Sequence, residues 1–168
     1  MFRFALFASC VALVSACRYS LEDGGQSITA DSSVDAPLSA SCMEAITRSD
    51  LNFIETKIFA TSCIFSGCHN GANTDAGRLD LREGMAHAAL VNKDSAIAPT
   101  YKYVVPTKPN ESHLLLMIQH ITPEMMSPPT TAPDPQIGYM PQNAGGRAIC
   151  VQKREAIERW IMAGAPAT

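Results

Sequence analysis

The sequence predicts a small all-α domain with long loops. Two segments carry apolar side chains at helical spacing, which gives each segment one face suited to burial. These side chains are Phe53, Ile54, Ile58 and Phe59 in the first segment, and Ile157, Trp160 and Ile161 in the second. Between the segments lie short apolar runs and loops containing Pro and Gly, with essentially no strand pattern. No internal repeat is visible, and a length of 168 residues fits one domain.

The expected helices have recognisable starts. The first is expected over residues 49–60, with Ser49 or Asp50 as the residue that caps its N-terminus. A short helix is expected over residues 82–90, and a Leu-rich one follows a cap at Asn110. These helices are separated by connections long enough to hold functional side chains.

The last part of the chain combines a long loop with a final helix. Residues 122–148 contain six of the 11 prolines, and a loop of this length in a small domain is usually functional or disordered. The final helix is expected over residues 151–163, with Gly164 as its C-terminal stop and Pro166 preventing continuation.

The N-terminus has the features of an export signal. Arg3 precedes an apolar run, residues 4–16, that is too short to span a bilayer comfortably. The sequence Leu13-Val14-Ser15-Ala16-Cys17 resembles a bacterial lipobox, which implies that residues 1–16 are a lipoprotein signal peptide and that Cys17 is lipidated. Arg18, in place of an aspartate, favours the outer membrane of the bacterial envelope. The alternative is ordinary cleavage nearby, with an incidental thiol at Cys17.

Residues 17–41 are expected to form a flexible tether, because they are rich in Ser, Asp and Gly and have few large apolar side chains. The folded domain is expected over residues 42–168. Without Arg3, the chain has 12 basic and 16 acidic side chains. The basic ones are scattered and are not interleaved with aromatic residues, so nothing in the sequence indicates nucleic-acid binding.

The cysteines left after export need an assignment. Cys10 is removed with the signal and Cys17 carries lipid, which leaves Cys42, Cys63, Cys68 and Cys150. An even number of thiols in an oxidising compartment should be committed to bonds. Either a haem takes the inner pair and a disulfide joins the outer pair, or two disulfides form. Both assignments join Cys42 to Cys150.

The inner cysteines belong to the most informative motif, Cys63-Ile64-Phe65-Ser66-Gly67-Cys68-His69. Two cysteines followed by a histidine are typical of covalent c-type haem attachment. The thiols would add to the haem vinyl groups, and His69 would be the proximal iron ligand. The spacer has four residues where the usual motif has two. A small Cys63–Cys68 disulfide therefore remains the alternative.

Other chemistries have weaker sequence support. A zinc site at this motif would lack a second pair of ligands. Adjacent Cys and His side chains diverge on most backbones, which disfavours a nucleophile pair. No phosphate-binding loop, His-Glu-x-x-His helix or Gly-x-Ser-x-Gly turn is present. The protein is not expected to be an enzyme on its own.

Several fragments, in a fixed order over roughly residues 50–166, resemble the cytochrome c-like domains of exported bacterial proteins, including those abundant in planctomycetes and myxobacteria. The fragments are Cys63…Cys68-His69, Arg78-Leu79-Asp80-Leu81, Val104-Val105-Pro106 through Ser112, Tyr139-Met140-Pro141, and Ala156 through Pro166. The resemblance implies a small class I cytochrome c-like helical fold, with one covalent haem c held between the first and last helices.

The resemblance also implies roles for individual residues. Cys63 and Cys68 would bind the haem, His69 would be the proximal ligand, and Met140 would be the distal ligand. A Met distal ligand raises the reduction potential relative to a second histidine. From the residues alone, His113, His120, Met125 and Met126 are alternative distal candidates, although His113 is expected at the rim of its helix. His120, Met125 and Met126 therefore remain alternatives to Met140 as the distal ligand.

Together these patterns predict a membrane-tethered monohaem c-type cytochrome that transfers electrons in the periplasm. Its partners would be redox proteins of the envelope and the membrane itself, contacted through the lipid on Cys17. The alternative is a haem-free lipoprotein of the same fold, stapled by disulfides, that acts as a structural or interaction module of the envelope.

Overall fold

The computed structural model describes residues 38–142 and 149–168. The signal peptide expected over residues 1–16, the lipid site at Cys17 and nearly all of the tether lie outside the described residues. The described part consists of helices and isolated β-bridges without an extended strand. The all-α class predicted from the sequence is therefore confirmed for this part of the chain.

The helices follow one another in a simple order. They are α1 (Ala40–Glu44), α2 (Leu51–Phe53), a π-helical segment (Ile54–Phe59), α3 (Ala60–Ser62), α4 (Ala86–Leu90), a 3₁₀ turn (Pro109–Glu111), α5 (His113–Met117), a second 3₁₀ turn (Pro123–Met125) and α6 (Val151–Met162). None of the helices in the described ranges is long and apolar enough to cross a membrane.

Helix α1 begins earlier than the sequence indicates. It starts at Ala40, inside the segment expected to be tether, because the Ser39 hydroxyl accepts a hydrogen bond from the Cys42 amide at 3.3 Å. Ser39 is thus an N-cap. The ordered part of the domain therefore includes residues just ahead of Cys42.

The first predicted helix is α2, the π-helical segment and α3 joined without a break, since the linking residues Ile54 and Ala60 have right-handed helical dihedrals. Of the two proposed caps, Asp50 is the one used: its carboxylate accepts from the Phe53 amide at 3.0 Å. The helical segment ends at Ser62 instead of residue 60. The π-helical hydrogen bonding has no signature in the apolar spacing and was not predicted.

The final helix matches its prediction closely. Helix α6 runs from Val151 to Met162, and Gly164 follows with φ +95°, a left-handed conformation that glycine adopts without steric cost. Ile157 and Trp160 are at most 1 % exposed, and the Trp160 indole donates to the Pro166 carbonyl at 2.9 Å. The chain end thus folds back and covers the buried face of α6.

The hydrophobic core joins α6 to the first helical segment and to α5. Its largest fully buried side chains include Phe53, Phe59, Leu115, Ile157 and Trp160. Helices α4 and α5 are shorter than predicted, and α5 begins at His113 after the 3₁₀ turn Pro109–Glu111. Ser112, and not Asn110, precedes its first residue, because Pro109 directs the chain into the tighter turn.

A disulfide joins Cys42 in α1 to Cys150, the residue before α6, with an S–S distance of 2.20 Å. Close by, Arg159 of α6 donates to the Ala45 carbonyl at 2.5 Å and to the Arg48 carbonyl at 3.3 Å. Helix α1 is therefore attached to the last helix both covalently and through the carbonyls that follow it.

Candidate functional site

The cysteine–histidine motif occupies the loop that follows α3. The Cys63 amide donates to the Phe59 carbonyl at 2.8 Å, so the first helical segment places this cysteine. The Cys68 amide donates to the Phe65 carbonyl at 2.8 Å, which makes the spacer a tight turn. Gly67 has φ +78°, a conformation that favours glycine. The two extra spacer residues are thus accommodated in a turn between the two cysteines.

His69 is held by its main chain and by its ring. Its amide donates to the Cys63 carbonyl at 3.0 Å, and its own carbonyl accepts from the Leu81 amide at 3.0 Å. The ring Nδ1 lies 2.8 Å from the Ala76 carbonyl oxygen, so Nδ1 carries the proton and donates it. The Leu79 carbonyl also lies close enough to the ring to favour its protonated form, but no hydrogen bond of normal geometry joins Nε2 to another residue of the described ranges. This arrangement fixes the orientation of the imidazole and leaves Nε2 as a lone-pair donor.

The electrostatic surroundings keep His69 neutral. Burial lowers the pKa of the imidazole, and the carbonyls of Ala76 and Leu79 offset part of this effect by favouring the protonated ring. A histidine must be neutral to ligate a metal. The lowered pKa therefore makes the ligating form available at neutral pH.

Side chains of the loop after His69 form hydrogen bonds with the backbone of the same loop. Asn70 accepts from the Ala72 amide at 3.1 Å, and Thr74 accepts from the Gly77 amide at 2.9 Å. Asp80 forms a salt bridge with Arg82 at 2.7 Å. The Arg78-Leu79-Asp80-Leu81 segment thus contributes a buried leucine, Leu81, which is 3 % exposed, and an ordering carboxylate.

Cys63 and Cys68 are both free thiols, and both are half-buried. Burial, with a smaller contribution from the nearby Cys68, raises the pKa of the Cys63 thiol to about 12, and Lys153 opposes part of this shift. Lys153 of α6 is itself 7 % exposed and donates from Nζ to the Lys57 carbonyl at 2.7 Å. The first sulfur of the motif therefore lies in an apolar environment next to a buried ammonium group.

Met140 lies in the loop after α5, where its amide donates to the Met117 carbonyl at 2.7 Å. The peptide bond to Pro141 is cis. Gln142 donates to the Ile137 carbonyl at 3.0 Å, which closes the turn around this pair. The Met140 side chain is half-buried and the neighbouring Tyr139 packs against the core. The main chain of α5 thus fixes the position of the predicted distal ligand.

The alternative distal candidates have other roles in the structure. His120 Nε2 lies 2.8 Å from the Glu158 carboxylate, and Met126 is 2 % exposed in the core. Met125 is 49 % exposed. His113 was expected at the rim, and this prediction is wrong: it is 4 % exposed, because Ser95 and Tyr101 surround its ring.

Sequence reasoning missed several buried polar features, two of which involve candidate site residues or their neighbours. One is Lys153, which a helix of mixed polarity does not distinguish from its solvated neighbours. The other is the pair formed by Ser95 and His113, whose Oγ and Nδ1 are 3.0 Å apart. The serine lies far from the histidine in sequence, and no spacing rule connects them. Only the placement of His113 in an otherwise apolar run could have indicated its burial.

Comparisons with known proteins identify no relative, since no family model, no curated protein and no solved structure matches the chain. Within the described ranges, no group of three or more His, Cys, Asp or Glu side chains is placed to hold a metal ion. A haem site is a different case, because the porphyrin supplies four of the iron ligands and the chain supplies only the axial ones.

Proposed function

We propose that the protein is a membrane-tethered monohaem c-type cytochrome that transfers electrons in the periplasm. The observation that carries this proposal is the state of His69. Its Nδ1 donates to the Ala76 carbonyl at 2.8 Å, and its Nε2 makes no hydrogen bond to the other described residues. Metal-ligating histidines almost always donate their second ring N–H in this way, which fixes the tautomer and the ring plane.

The two thiols also fit covalent haem. Cys63 and Cys68 are unbonded, belong to the same loop as His69 and are linked to it through the hydrogen bond from the His69 amide to the Cys63 carbonyl. Net addition of each S–H across a haem vinyl group would form one thioether, and both sulfurs are unbonded and available for it. Cys63 and Cys68 would form the thioethers and His69 would bind the iron.

A bound haem c would supply a one-electron couple. The residues of this chain would hold it and set its surroundings. His69 would be the proximal ligand, and Met140 in the turn fixed to α5 would be the distal ligand. Apolar side chains that pack against the core near Cys63, among them Ile64 and Leu79, would exclude water. No substrate turnover is proposed, because the domain would exchange electrons with envelope proteins.

The location is proposed from the sequence. Residues 1–16 would be removed on export, Cys17 would carry the lipid, and the segment that follows would tether the domain to the membrane, with the outer membrane favoured. A tethered domain can search for redox partners while remaining at the membrane surface.

The test is co-expression with a bacterial cytochrome maturation system, followed by intact mass and a pyridine haemochrome spectrum. We expect the mature protein to gain the mass of one haem c and to keep it after denaturation, because thioether bonds are covalent. The Cys63→Ser/Cys68→Ser double variant should fold through its remaining disulfide and carry no covalent haem. Soluble, folded wild-type protein without haem would reject the proposal.

The same preparation tests the distal ligand. Met140→Ala should retain covalent haem but have a lower reduction potential, because a thioether ligand favours the reduced iron. Met125→Ala removes an exposed methionine from the same region and should leave the potential unchanged. Equal potentials for the two variants would remove Met140 from the ligand set.

The second candidate is a haem-free domain of the same fold that serves as a structural or interaction module of the envelope. It is favoured by the proximity of the two thiols, since Cys68 contributes to the raised pKa of Cys63. In an oxidising compartment such a pair could close into a disulfide. Mass spectrometry without reductant would then show Cys63 bonded to Cys68 and no added porphyrin.

A further inference from the structure

A cavity separate from the cysteine–histidine loop lies beside α5. Its volume is about 200 Å³, and its lining combines apolar side chains, among them Ile97, Ala98, Leu116 and Ile137, with polar atoms that contribute the larger share of its surface. His113 also lines it, and Asp134 lies at its exposed side. Pockets that bind small molecules commonly combine an apolar wall with a few placed polar groups.

The polar group in this cavity is a buried imidazole. His113 is 4 % exposed, and Tyr101 stacks on one face of its ring with the ring centroids 5.8 Å apart. Its Nδ1 lies 3.0 Å from the Ser95 hydroxyl oxygen. Neither Tyr101 nor Ser95 lines the cavity, so the parts of the ring left to face it are its second face and the edge that carries Nε2. Nε2 makes no hydrogen bond to another residue in the described ranges.

The Ser95 hydroxyl determines which nitrogen carries the proton. Ser95 is 1 % exposed, and its hydroxyl oxygen has His113 as its one hydrogen-bond partner among the described residues. If Nδ1 donated to the hydroxyl, both the hydroxyl hydrogen and the Nε2 lone pair would lack a partner. The arrangement in which the hydroxyl donates to Nδ1 leaves only the Nε2–H unpaired and is therefore favoured. Nε2 of the neutral ring then carries the N–H and donates. Burial lowers the pKa of His113, which favours this neutral form.

The surrounding loops are fixed in place before any ligand binds. The Tyr101 hydroxyl donates to the Pro128 carbonyl at 2.9 Å, and the Thr130 amide donates to the Pro123 carbonyl at 3.1 Å. On the opposite side the Ser95 amide donates to the Tyr101 carbonyl at 2.8 Å. A site held open by its own backbone loses little entropy when a ligand enters.

The geometry does not suit hydrolysis. A serine nucleophile would need to reach a substrate, but Ser95 is enclosed and does not line the cavity. Asp134 uses its carboxylate to accept from the Gln136 amide at 2.7 Å. Its negative charge at the exposed side opposes the entry of anions. What remains is a preformed, partly polar space whose buried polar side chain is His113.

We propose that this cavity binds a small uncharged molecule with an apolar body and one acceptor oxygen, such as a ketone, an ester or an amide. The oxygen accepts the Nε2–H of His113, and the apolar body packs between Ile97, Ala98, Leu116 and Ile137. The site is independent of the thiols and of any bound haem.

The test compares cyclopentanone with methylenecyclopentane, a hydrocarbon of nearly the same shape that lacks the acceptor oxygen. Binding to the full mature chain is followed through the ¹⁵N signals of the His113 imidazole. We expect the ketone to shift the Nε2 signal saturably, with a Kd on the order of millimolar for a ligand of this size. The hydrocarbon should bind about fivefold more weakly, because the hydrogen bond is absent.

Two alanine substitutions provide matched variants. Ala98→Phe places a large side chain in the cavity and should abolish the saturable shift, whereas Ala88→Phe makes the same change at an exposed position of α4 and should preserve it. The wild-type comparison decides the question even if the first variant fails to fold. Equal affinities for ketone and hydrocarbon, or the absence of a saturable His113 shift, would overturn the proposal.

Discussion

At the scale of single residues, the acidity of the Cys63 thiol follows from its surroundings. The sulfur packs against the hydrophobic core, and removing a thiolate from water raises the pKa. The ammonium group of Lys153 lowers it, but burial is the larger effect. Cys63 is therefore a weak nucleophile in the folded protein. Its sequence neighbours Ser62 and Ile64 are uncharged, so the local sequence does not predict the raised pKa.

The pH dependence of alkylation tests this assignment. With the pKa raised to about 12, the thiolate fraction of Cys63 is small at neutral pH and grows about tenfold for each pH unit. In protein produced without a cytochrome maturation system, so that Cys63 and Cys68 are free thiols, we expect the rate of iodoacetamide labelling at Cys63, resolved by peptide mass spectrometry, to rise steadily from about pH 7 to about pH 10.

Unfolding provides the control for this prediction. In concentrated urea the burial is lost, and the Cys63 rate should level off near the ordinary thiol pKa of 9.0. Cys68 is measured in the same sample, and Cys42 and Cys150 should stay unlabelled because they are disulfide-bonded. A native Cys63 rate that already levels off near this ordinary pKa would contradict the assignment.

The two histidines show what sequence can and cannot indicate about a residue. The position of His69 directly after Cys68 made it a candidate iron ligand, but its acceptor, the Ala76 carbonyl, depends on a loop whose path no pattern specifies. His113 was placed at the rim because a titratable side chain usually stays in water. Its burial depends on Ser95 and Tyr101, which reach it through long-range backbone pairing such as the bond from the His113 amide to the Lys102 carbonyl.

At the scale of elements, Glu55 connects the π-helical segment to α4. It is 5 % exposed, and its two carboxylate oxygens accept from the Gly84 amide at 3.0 Å and the Ala86 amide at 3.2 Å. These amides precede or begin α4 and have no partner within that helix. One buried side chain thus caps a helix that is distant in sequence. Short π-helical segments such as the one that contains Glu55 occur often at functional sites.

Substituting Glu55→Gln should destabilise the protein. One oxygen of the carboxylate becomes an NH₂ group, which cannot accept from a backbone amide, so one buried N–H loses its partner. We expect the free energy of unfolding to fall by about 1–3 kcal/mol, the cost of an unsatisfied buried donor. Urea unfolding monitored by the fluorescence of Trp160, the one tryptophan of the chain, measures the loss.

Glu83→Gln is the matched control for this substitution. Glu83 is exposed and accepts only from the Asn52 amide group at 3.3 Å, a bond that glutamine can replace. Its free energy of unfolding should stay within about 0.5 kcal/mol of the wild-type value. Equal losses in the two variants would mean that the contact of Glu55 with α4 contributes nothing specific.

The ends of helices were predictable where a local rule applies. The prediction failed where the capping residue lies far away in the sequence. Gly164 marked the end of α6, and Asp50 was one of two proposed caps for the first helix. The start of α4 at Ala86 was predicted too early, because its cap is Glu55, which lies in another helix. A serine two positions outside the expected domain, Ser39, likewise extended α1.

At the scale of the whole molecule, α6 is the element on which the other helices depend. It packs against the first helical segment and α5, is bonded to α1 through Cys150, and its Ile161 carbonyl accepts from the Thr107 amide at 2.8 Å. Arg159 adds hydrogen bonds to the end of α1. Stability in this small domain therefore depends on contacts between segments far apart in sequence.

The disulfide should contribute most of this long-range constraint. It closes a loop across 108 positions, and such a loop corresponds to about 4–5 kcal/mol in the chain-entropy model. We expect Cys42→Ser/Cys150→Ser to lose up to about this amount in the free energy of unfolding, as measured by urea denaturation.

The matched comparison uses the Cys63→Ser/Cys68→Ser background, in which only the outer pair can respond to reductant. Reduction should destabilise this variant by the same amount as the double serine substitution at the outer pair. In the Cys42→Ser/Cys150→Ser variant, reductant should cause no loss of stability from this disulfide, because the bond is absent. An unchanged midpoint on reduction of the Cys63→Ser/Cys68→Ser variant would show that the disulfide is not a source of stability.

Sequence reasoning at this scale gave the helical class and the outer cysteine pair, since both assignments of the thiols contained it. The predicted bridge placed Cys42 near the start of the last helix, but nothing indicated that the segment around Cys42 is itself helical, because α1 is short and has no buried side chain of its own. Sequence reasoning also gave no indication of the cavity beside α5, because the cavity forms only where α5 meets two loops that are distant from each other in sequence.

The sulfur bridge has a mechanical consequence. A force applied to the chain ahead of residue 38 enters the domain at α1, a five-residue helix with no buried side chain. The covalent link passes that load directly into α6, whose Trp160 and Ile161 lie at the centre of the core. Under force the domain should therefore unfold cooperatively, and α1 should not detach first.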